Sequence, residues 1–383
     1  MCTATFRVSW LSIITWLLAF DYLKSETLSD YTDCRTLTKE AGLCISIKEC
    51  KPLLNYLSSV PVITPEISKR LHEYHCGFKG KDVQVCCPSN GVIYIGDHVN
   101  DGDSITKHKN FHLLPKDCGL SVRDRLLGGN IASLFEVPWM ALLSYETPNG
   151  TEFRCSGSVI NNRYILTSAH CLSKNREIKL KEVRCGEHNL NTLVDCEGED
   201  VTAYNTKMCA PPVQDIGIEE IIAHPGYNLK SFTNDIGLIR LERPLNVVAE
   251  NVQPICLPVY TTLKNTTRWF TVTSWGLTGV KSAELHKITN EIVSQEQCQK
   301  AYAPVLPMQI NEDHLCATQK HEQICYGNSG DPLQIETILD GDIHNVQYGI
   351  FSFGPRSCRM TDFPYVFTRV ESHLKWILDN LKA

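Results

Sequence analysis

Short apolar runs broken by Gly, Pro and Asn dominate the chain from about Leu126 to its end. Val159–Thr167, Ile216–Ile222, Ile236–Leu241, Thr271–Ser274 and Val346–Ser352 are rich in Val, Ile, Leu and Thr. Runs of that length, bounded by turn residues, predict strands of an all-β barrel or sandwich. Only Glu371–Leu381 changes period: Leu374, Ile377, Leu378 and Leu381 recur at helical spacing and predict one amphipathic terminal helix, a packing device. Upstream, Pro88–Lys116 is polar and predicts an exposed linker. At the N-terminus, Arg7 precedes an apolar run from Val8 to Phe20. That run is too short for a bilayer span and suits the apolar region of a signal peptide over residues 1–24.

Composition adds a second signal. The 383 residues exceed one ordinary domain. A net charge of −6 argues against nucleic acid as a partner, and no later run is long enough to cross a membrane. The chain carries 18 cysteines with no zinc-like CxxC pattern, which predicts an oxidised, secreted, extracellular protein. Six of them, Cys34, Cys44, Cys50, Cys76, Cys86 and Cys87, crowd a segment with little apolar material, so disulfides must hold that unit together. Their spacing leaves all connectivities open. Adjacent Cys86 and Cys87 point to opposite sides of an extended strand and need separate partners.

Candidate chemistry lies in three segments: TSAHC at Thr167–Cys171, NDIGLIRL at Asn234–Leu241 and GNSGDPL at Gly327–Leu333. A lone His, or a Ser beside glycine, is ordinarily structural. In the order His, Asp, Ser they match what activates a hydroxyl: an imidazole takes its proton and a carboxylate holds that imidazole in one tautomer. Flanking glycines let backbone N–H groups approach a developing oxyanion.

On these motifs the region resembles the chymotrypsin-like serine endopeptidases, and with the six-cysteine unit the whole chain resembles an arthropod clip-domain protease. The resemblance implies a chymotrypsin-like double β-barrel over residues 126–383, a small disulfide-rich clip domain at 34–87, a linker at 88–117 and an activation segment at 118–125. It implies His170 as general base, Asp235 as its orienting carboxylate, Ser329 as nucleophile, and Gly327 with Ser329 as the oxyanion hole. It implies the pairs Cys34–Cys86, Cys44–Cys76, Cys50–Cys87, Cys118–Cys256, Cys155–Cys171, Cys196–Cys209, Cys298–Cys316 and Cys325–Cys358. Cys2 falls in the signal peptide. Cys185 is left over, as a buried free thiol or an intermolecular disulfide. RLLGGN at Arg125–Asn130 resembles an activation junction cut after Arg125 to free Leu126, by an upstream protease of trypsin-like specificity.

Several positions depart from the family pattern. Asn328 replaces the Asp that pairs with the new amino terminus in active relatives. Losing one side of a buried ion pair costs about 3–5 kcal/mol. An α-amine, with a pKa of about 7.7–8.0, sheds its proton at small cost, so the switch is weakened without being certainly lost. Gln323 replaces the Asp that would pair with substrate Arg or Lys, and Tyr365 replaces a pocket glycine. Ser352, Phe353 and Gly354 keep the backbone-binding segment, whereas Asp331 replaces a second glycine and brings a carboxylate near the site.

Two readings follow. One is a zymogen-like homologue with impaired catalysis, acting as a cofactor in an extracellular cascade of the innate-immunity or melanisation type. The other is an active endopeptidase of narrow, non-tryptic specificity using the intact triad. A binding role for the clip unit, toward microbes or proteins, fits either, and His72, Tyr74 and His75 could shape its face. The resemblance implies as partners a downstream protease or prophenoloxidase-type target, and a serpin if the cut form is active. Asn149 and Asn265 head N-glycosylation sequons. The loop from Glu187 binds calcium in some relatives, but its residues read first as a solvated acidic loop. No other metal or cofactor is expected. His224 and His286 have no zinc-like partners.

Overall fold

The computed structural model describes residues 32–35, 41–47, 50, 53–54, 74–79, 82–88, 103–120, 131–173, 177–197, 208–259, 269–276, 282–304, 309–319, 328–339, 342–355 and 363–383. The chain divides into two compact units, residues 1–57 with 62–98 and residues 58–61 with 99–383.

The first unit is a four-stranded antiparallel sheet of β1 (Thr32–Arg35), β2 (Ala41–Ser46), β3 (His75–Lys79) and β4 (Asp82–Pro88), in the order β1-β2-β4-β3. Its apolar core is small, built on Ile45, Leu53 and Val85 with the sulfurs of Cys50 and Cys87. Three disulfides, Cys34–Cys86, Cys44–Cys76 and Cys50–Cys87, supply what so small a core cannot. Gly42 faces the Cys87 carbonyl across the ladder, where a Cβ would stand 2.5 Å from that oxygen. Only a residue without a side chain fits there.

The second unit holds two closed six-stranded barrels. The first barrel runs through β5 (Met140–Thr147), β6 (Gly150–Val159), β7 (Tyr164–Thr167), β8 (Lys179–Cys185), β11 (Gln214–Ala223) and β12 (Gly237–Leu241), in the order β11-β12-β7-β6-β5-β8. A two-stranded ribbon, β9 (Cys196–Glu197) and β10 (Met208–Cys209), is closed by the Cys196–Cys209 disulfide. The second barrel comprises β13 (Trp269–Ser274), β14 (His286–Val293), β15 (His314–Gln319), β16 (Pro332–Leu339), β17 (Asp342–Phe353) and β18 (Tyr365–Arg369), ordered β13-β14-β15-β18-β17-β16. Closure leaves neither sheet with a free edge. The run Val159–Thr167 is two strands rather than one, because the Asn161 side chain accepts the Arg163 N–H and turns the chain between β6 and β7.

Two buried side-chain hydrogen bonds bridge the barrels. Trp139 Nε1–H donates to Gln334 Oε1 at 2.8 Å, and the Ser158 hydroxyl donates to Gln347 Oε1 at 2.6 Å. Such pairs fix the register of one barrel against the other, since an unmatched buried donor would cost about 1–3 kcal/mol. Two of its described α-helices run longer than a single turn. Helix α1 (Gln295–Tyr302) carries a capping box from Ser294 and Gln297, and Cys298–Cys316 ties it to β15. Helix α2 (Leu374–Asn380) buries Leu374, Ile377 and Leu378.

The expectation of an exposed linker fails over its second half. Residues 103–120 lie against the first barrel's core through Ile105, Phe111, Leu113 and Leu114. Asn110 Nδ2–H donates to the carbonyls of Leu378 and Leu381, and Asn161 Nδ2–H to that of Leu113. Cys118–Cys256 anchors the end of the segment. Four apolar side chains among many polar ones set no periodicity, yet each finds a site on the barrel.

Candidate active site

His170 sits in the 3₁₀ turn Ala169–Leu172 that follows β7. Two covalent and hydrogen-bonded ties hold this turn: Cys155–Cys171 links it to β6, and the Tyr145 hydroxyl donates to the Cys171 carbonyl at 2.9 Å. Asp235 lies at the mouth of β12, fully buried, after Asn234 in the left-handed region at φ 53°. Its carboxylate receives three donors. His170 Nδ1–H donates to Oδ2 at 2.7 Å, the His170 backbone N–H to Oδ1 at 2.9 Å, and the Ser352 hydroxyl to Oδ2 at 2.5 Å. Donation from Nδ1 leaves Nε2 as the imidazole's proton acceptor, the tautomer that hydroxyl activation needs. Thr368 adds a hydroxyl to the Asp235 carbonyl at 2.9 Å, pinning the backbone as well.

Ser329 is partly exposed, and its carbonyl accepts the Ser156 N–H at 2.9 Å. The same carbonyl lies 3.6 Å from the Cys171 sulfur, beside His170, so β6, the His170 turn and the serine loop converge. Gly330 has φ 91°, and a Cβ there would press on the Ser156 carbonyl, so glycine is required after the serine. Gly327, Gln323, Cys325, Cys358, Arg125, Leu126 and Asn265 lie outside the described residues, as do residues 1–24.

The pocket segment carries Ser352, Phe353 and Gly354 at the end of β17, and Tyr365 opens β18. The Tyr365 ring lies against Gly354, where a Cβ would come within 2.5 Å of Tyr365 Cδ1. Burial pushes the Tyr365 phenol above its ordinary range. A large half-buried ring therefore fills the space beside Gly354. Beside it, Phe353 packs on Phe232 with ring centroids 4.8 Å apart and on Tyr302 at 5.4 Å, and Phe232 meets His170 edge-on at 6.5 Å. Phe232, half-buried and at φ 53°, joins this aromatic group three residues upstream of Asp235, where no motif in the sequence marks it.

Asn328 is fully buried, with its Nδ2–H donating to the Ser156 hydroxyl at 3.3 Å. The Asp331 side chain turns into the interior instead of toward the cleft, which corrects the expectation of a carboxylate beside the nucleophile. It is fully buried, and its Oδ2 accepts the Asn328 N–H at 2.5 Å. Burial raises its carboxyl to about 7, against the pull of the Ser274 and Ser156 hydroxyls and the Asn328 N–H.

Away from the cleft, Cys185 is a free, fully buried thiol in β8. Asn149 is exposed on the turn between β5 and β6. The described acidic side chains of the Glu187 loop are engaged within the protein. Arg184 Nη1–H donates to Glu187 Oε2 at 3.3 Å, while Asp195 is engaged by the His188 N–H and the Thr192 hydroxyl.

The fold and the stapled first unit agree with known proteins. The trypsin family model matches residues 126–377, and the regulatory CLIP domain of proteinases matches residues 34–87. CLIP domain-containing serine protease B4 of Anopheles gambiae is 36% identical over 361 residues, 91% of this chain and 92% of the relative. Phenoloxidase-activating factor 3 of Holotrichia diomphalia is 34% identical, covering 98% and 100%. The crystal structure of the Drosophila Grass clip serine protease of the Toll pathway superposes with a TM-score of 0.61 at 30% identity, covering 91% of this chain and 97% of that one. The chain thus belongs to the clip-domain, trypsin-like serine protease family, and its two barrels have the chymotrypsin-like fold. Clip-domain proteases of this family work in insect immune and melanisation cascades. Among the described residues, no helix is long and apolar enough to cross a membrane.

Proposed function

We propose that this chain is a secreted zymogen-like member of an extracellular melanisation-type cascade, cut after Arg125, whose catalysis is impaired and whose main role is to bind and assist other cascade components. One observation carries the reading: the Tyr365 ring lies against Gly354 on the pocket wall. Gln323 offers no carboxylate to a basic substrate side chain. A pocket both narrowed and uncharged loses the ion pair and the space that tryptic cleavage requires.

Relatives named melanization protease and phenoloxidase-activating factor support a cascade of this type. On that reading the upstream partner is a trypsin-like activator, the downstream partner a cascade protease or prophenoloxidase-type target, and Asn149 carries a glycan. The assembled His170–Asp235–Ser352 geometry favours a second reading, a narrow non-tryptic endopeptidase that a serpin would control. A peptide library varied at the residue before the scissile bond separates the two. The cut chain is compared with its Ser329→Ala variant. Equal background supports the binding role, and Ser329-dependent cleavage of any member favours the protease.

A further inference from the structure

A cavity of about 450 Å³ lies between residues 106–118 and the barrels, and none of the catalytic or pocket residues lines it. That is the size of an ordinary small-ligand pocket, about 300–1,000 Å³. The barrel side contributes Ile160, Ile255 and Leu257, at 0%, 1% and 5% exposure, and the segment contributes Phe111 and Leu114. The way the segment is fastened keeps this space open. Asn110 Nδ2–H donates to the Leu378 and Leu381 carbonyls, and Asn161 Nδ2–H donates to the Leu113 carbonyl. Beyond them, Gly119 N–H donates to the Pro254 carbonyl at 2.7 Å, and Cys118–Cys256 adds a covalent tie at the cavity wall. Held on both sides of Leu114, the segment cannot slide inward to close the gap.

The ionisable residues around the cavity have one sign. Lys109, Lys116, His108, His112 and His344 line it, and no aspartate or glutamate does. The chain as a whole carries −6, so this concentration of base runs against its composition. His108 is committed elsewhere, its Nε2 lying 2.9 Å from Asp379 Oδ1. Lys109 and Lys116 are exposed, and among the described residues neither has an ion-pair partner. Apolar walls beneath a cationic rim select a molecule with an apolar body and an anionic end. A small anion gains nothing from the walls, and a neutral lipid gains nothing from the lysines.

We propose that this cavity is a binding site for a single-chain anionic amphiphile, a fatty-acid carboxylate. Its chain lies on Ile160, Ile255 and Leu257, and its carboxylate meets Lys109 and Lys116. Bound there it touches both residues 106–118 and the barrels, and so fastens the segment more tightly in place. Neither the cut after Arg125 nor the catalytic state of Ser329 enters the inference.

The test uses the full-length, uncut chain and isothermal titration calorimetry with dodecanoate below its micellar concentration. Binding should saturate at one molecule per chain. Decanoate is two methylenes shorter and should bind about fifteenfold more weakly, at about fourfold per buried methylene. Dodecyltrimethylammonium keeps the chain and reverses the charge, and should bind at least about tenfold more weakly than dodecanoate. A dodecanoate bearing a diazirine on its chain should, on irradiation, label peptides containing Phe111–Pro115 or Ile255–Val259. Lys109→Glu combined with Lys116→Glu should weaken dodecanoate at least about tenfold, and both positions are exposed, so the fold is kept. Absence of saturable binding, equal affinity for the cationic amphiphile, or labelling confined to other peptides overturns the proposal, and none of these results needs a variant to fold. Unchanged affinity in the folded double variant also overturns it.

Discussion

Removing the Asp331 carboxyl from the uncut protein should change how stability depends on pH. In the fold this group sits near 7, whereas its ordinary value is 3.8. Between those values the unfolded chain ionises Asp331 while the folded chain keeps it protonated. The stability it contributes is therefore complete below about pH 4, falls as pH rises, and levels off above about pH 7. Three pKa units at about 1.4 kcal/mol each make the loss about 4 kcal/mol. Complete burial means that solvent screening does not reduce this figure. Asp331→Asn keeps an acceptor for the Asn328 N–H and cannot titrate. The assay is urea unfolding from pH 4 to 8 with disulfides intact, followed by the fluorescence of the buried Trp139 and Trp275. Histidines and other carboxyls cancel in the wild-type minus variant difference. That difference should drop by about 4 kcal/mol across the window, and a flat difference, constant within about 1 kcal/mol, would refute the reasoning.

Other outcomes follow from the same geometry. Burial, reinforced by Asp215, pushes the Cys185 thiol far above its ordinary range; iodoacetamide mapped by mass spectrometry should label it only after unfolding, and Cys185→Ser should cost about 1–3 kcal/mol by burying a hydroxyl in an apolar site. Because Cys118–Cys256 joins the segment before Arg125 to the chain after it, the cut chain should run as one band without reductant and as two with it. Tyr365→Gly should open the pocket beside Gly354 and raise Ser329-dependent hydrolysis of peptides with apolar side chains before the scissile bond by at least about tenfold; an unchanged rate would mean that the ring is not the obstacle.

Much of the architecture was legible because local pattern and global fold agree. Strand runs such as Ile236–Leu241 pack on all sides within closed barrels, so an unbroken apolar run marks them clearly. The motifs around His170, Asp235 and Ser329 were readable because the chemistry constrains residue type and order together. Residues 103–120 were not, since their docking depends on Phe111, Leu113 and Leu114 meeting a barrel surface that no local period encodes. The Ser352 hydroxyl on Asp235 was missed as well: the two lie 117 residues apart and meet only when both barrels close. Asp331 was seen as a substitution, but which way its side chain points is decided by the Asn328 N–H and the buried hydroxyls of Ser156 and Ser274.

The central claim is that the protein acts in its cascade by binding and not by cutting. It is tested most directly by adding the cut chain, or cut Ser329→Ala, to a reconstituted prophenoloxidase-activating system and following melanin formation. The account predicts equal stimulation by both and none by the uncut forms. Stimulation that disappears with Ser329→Ala, while that variant remains folded and cut, would contradict it.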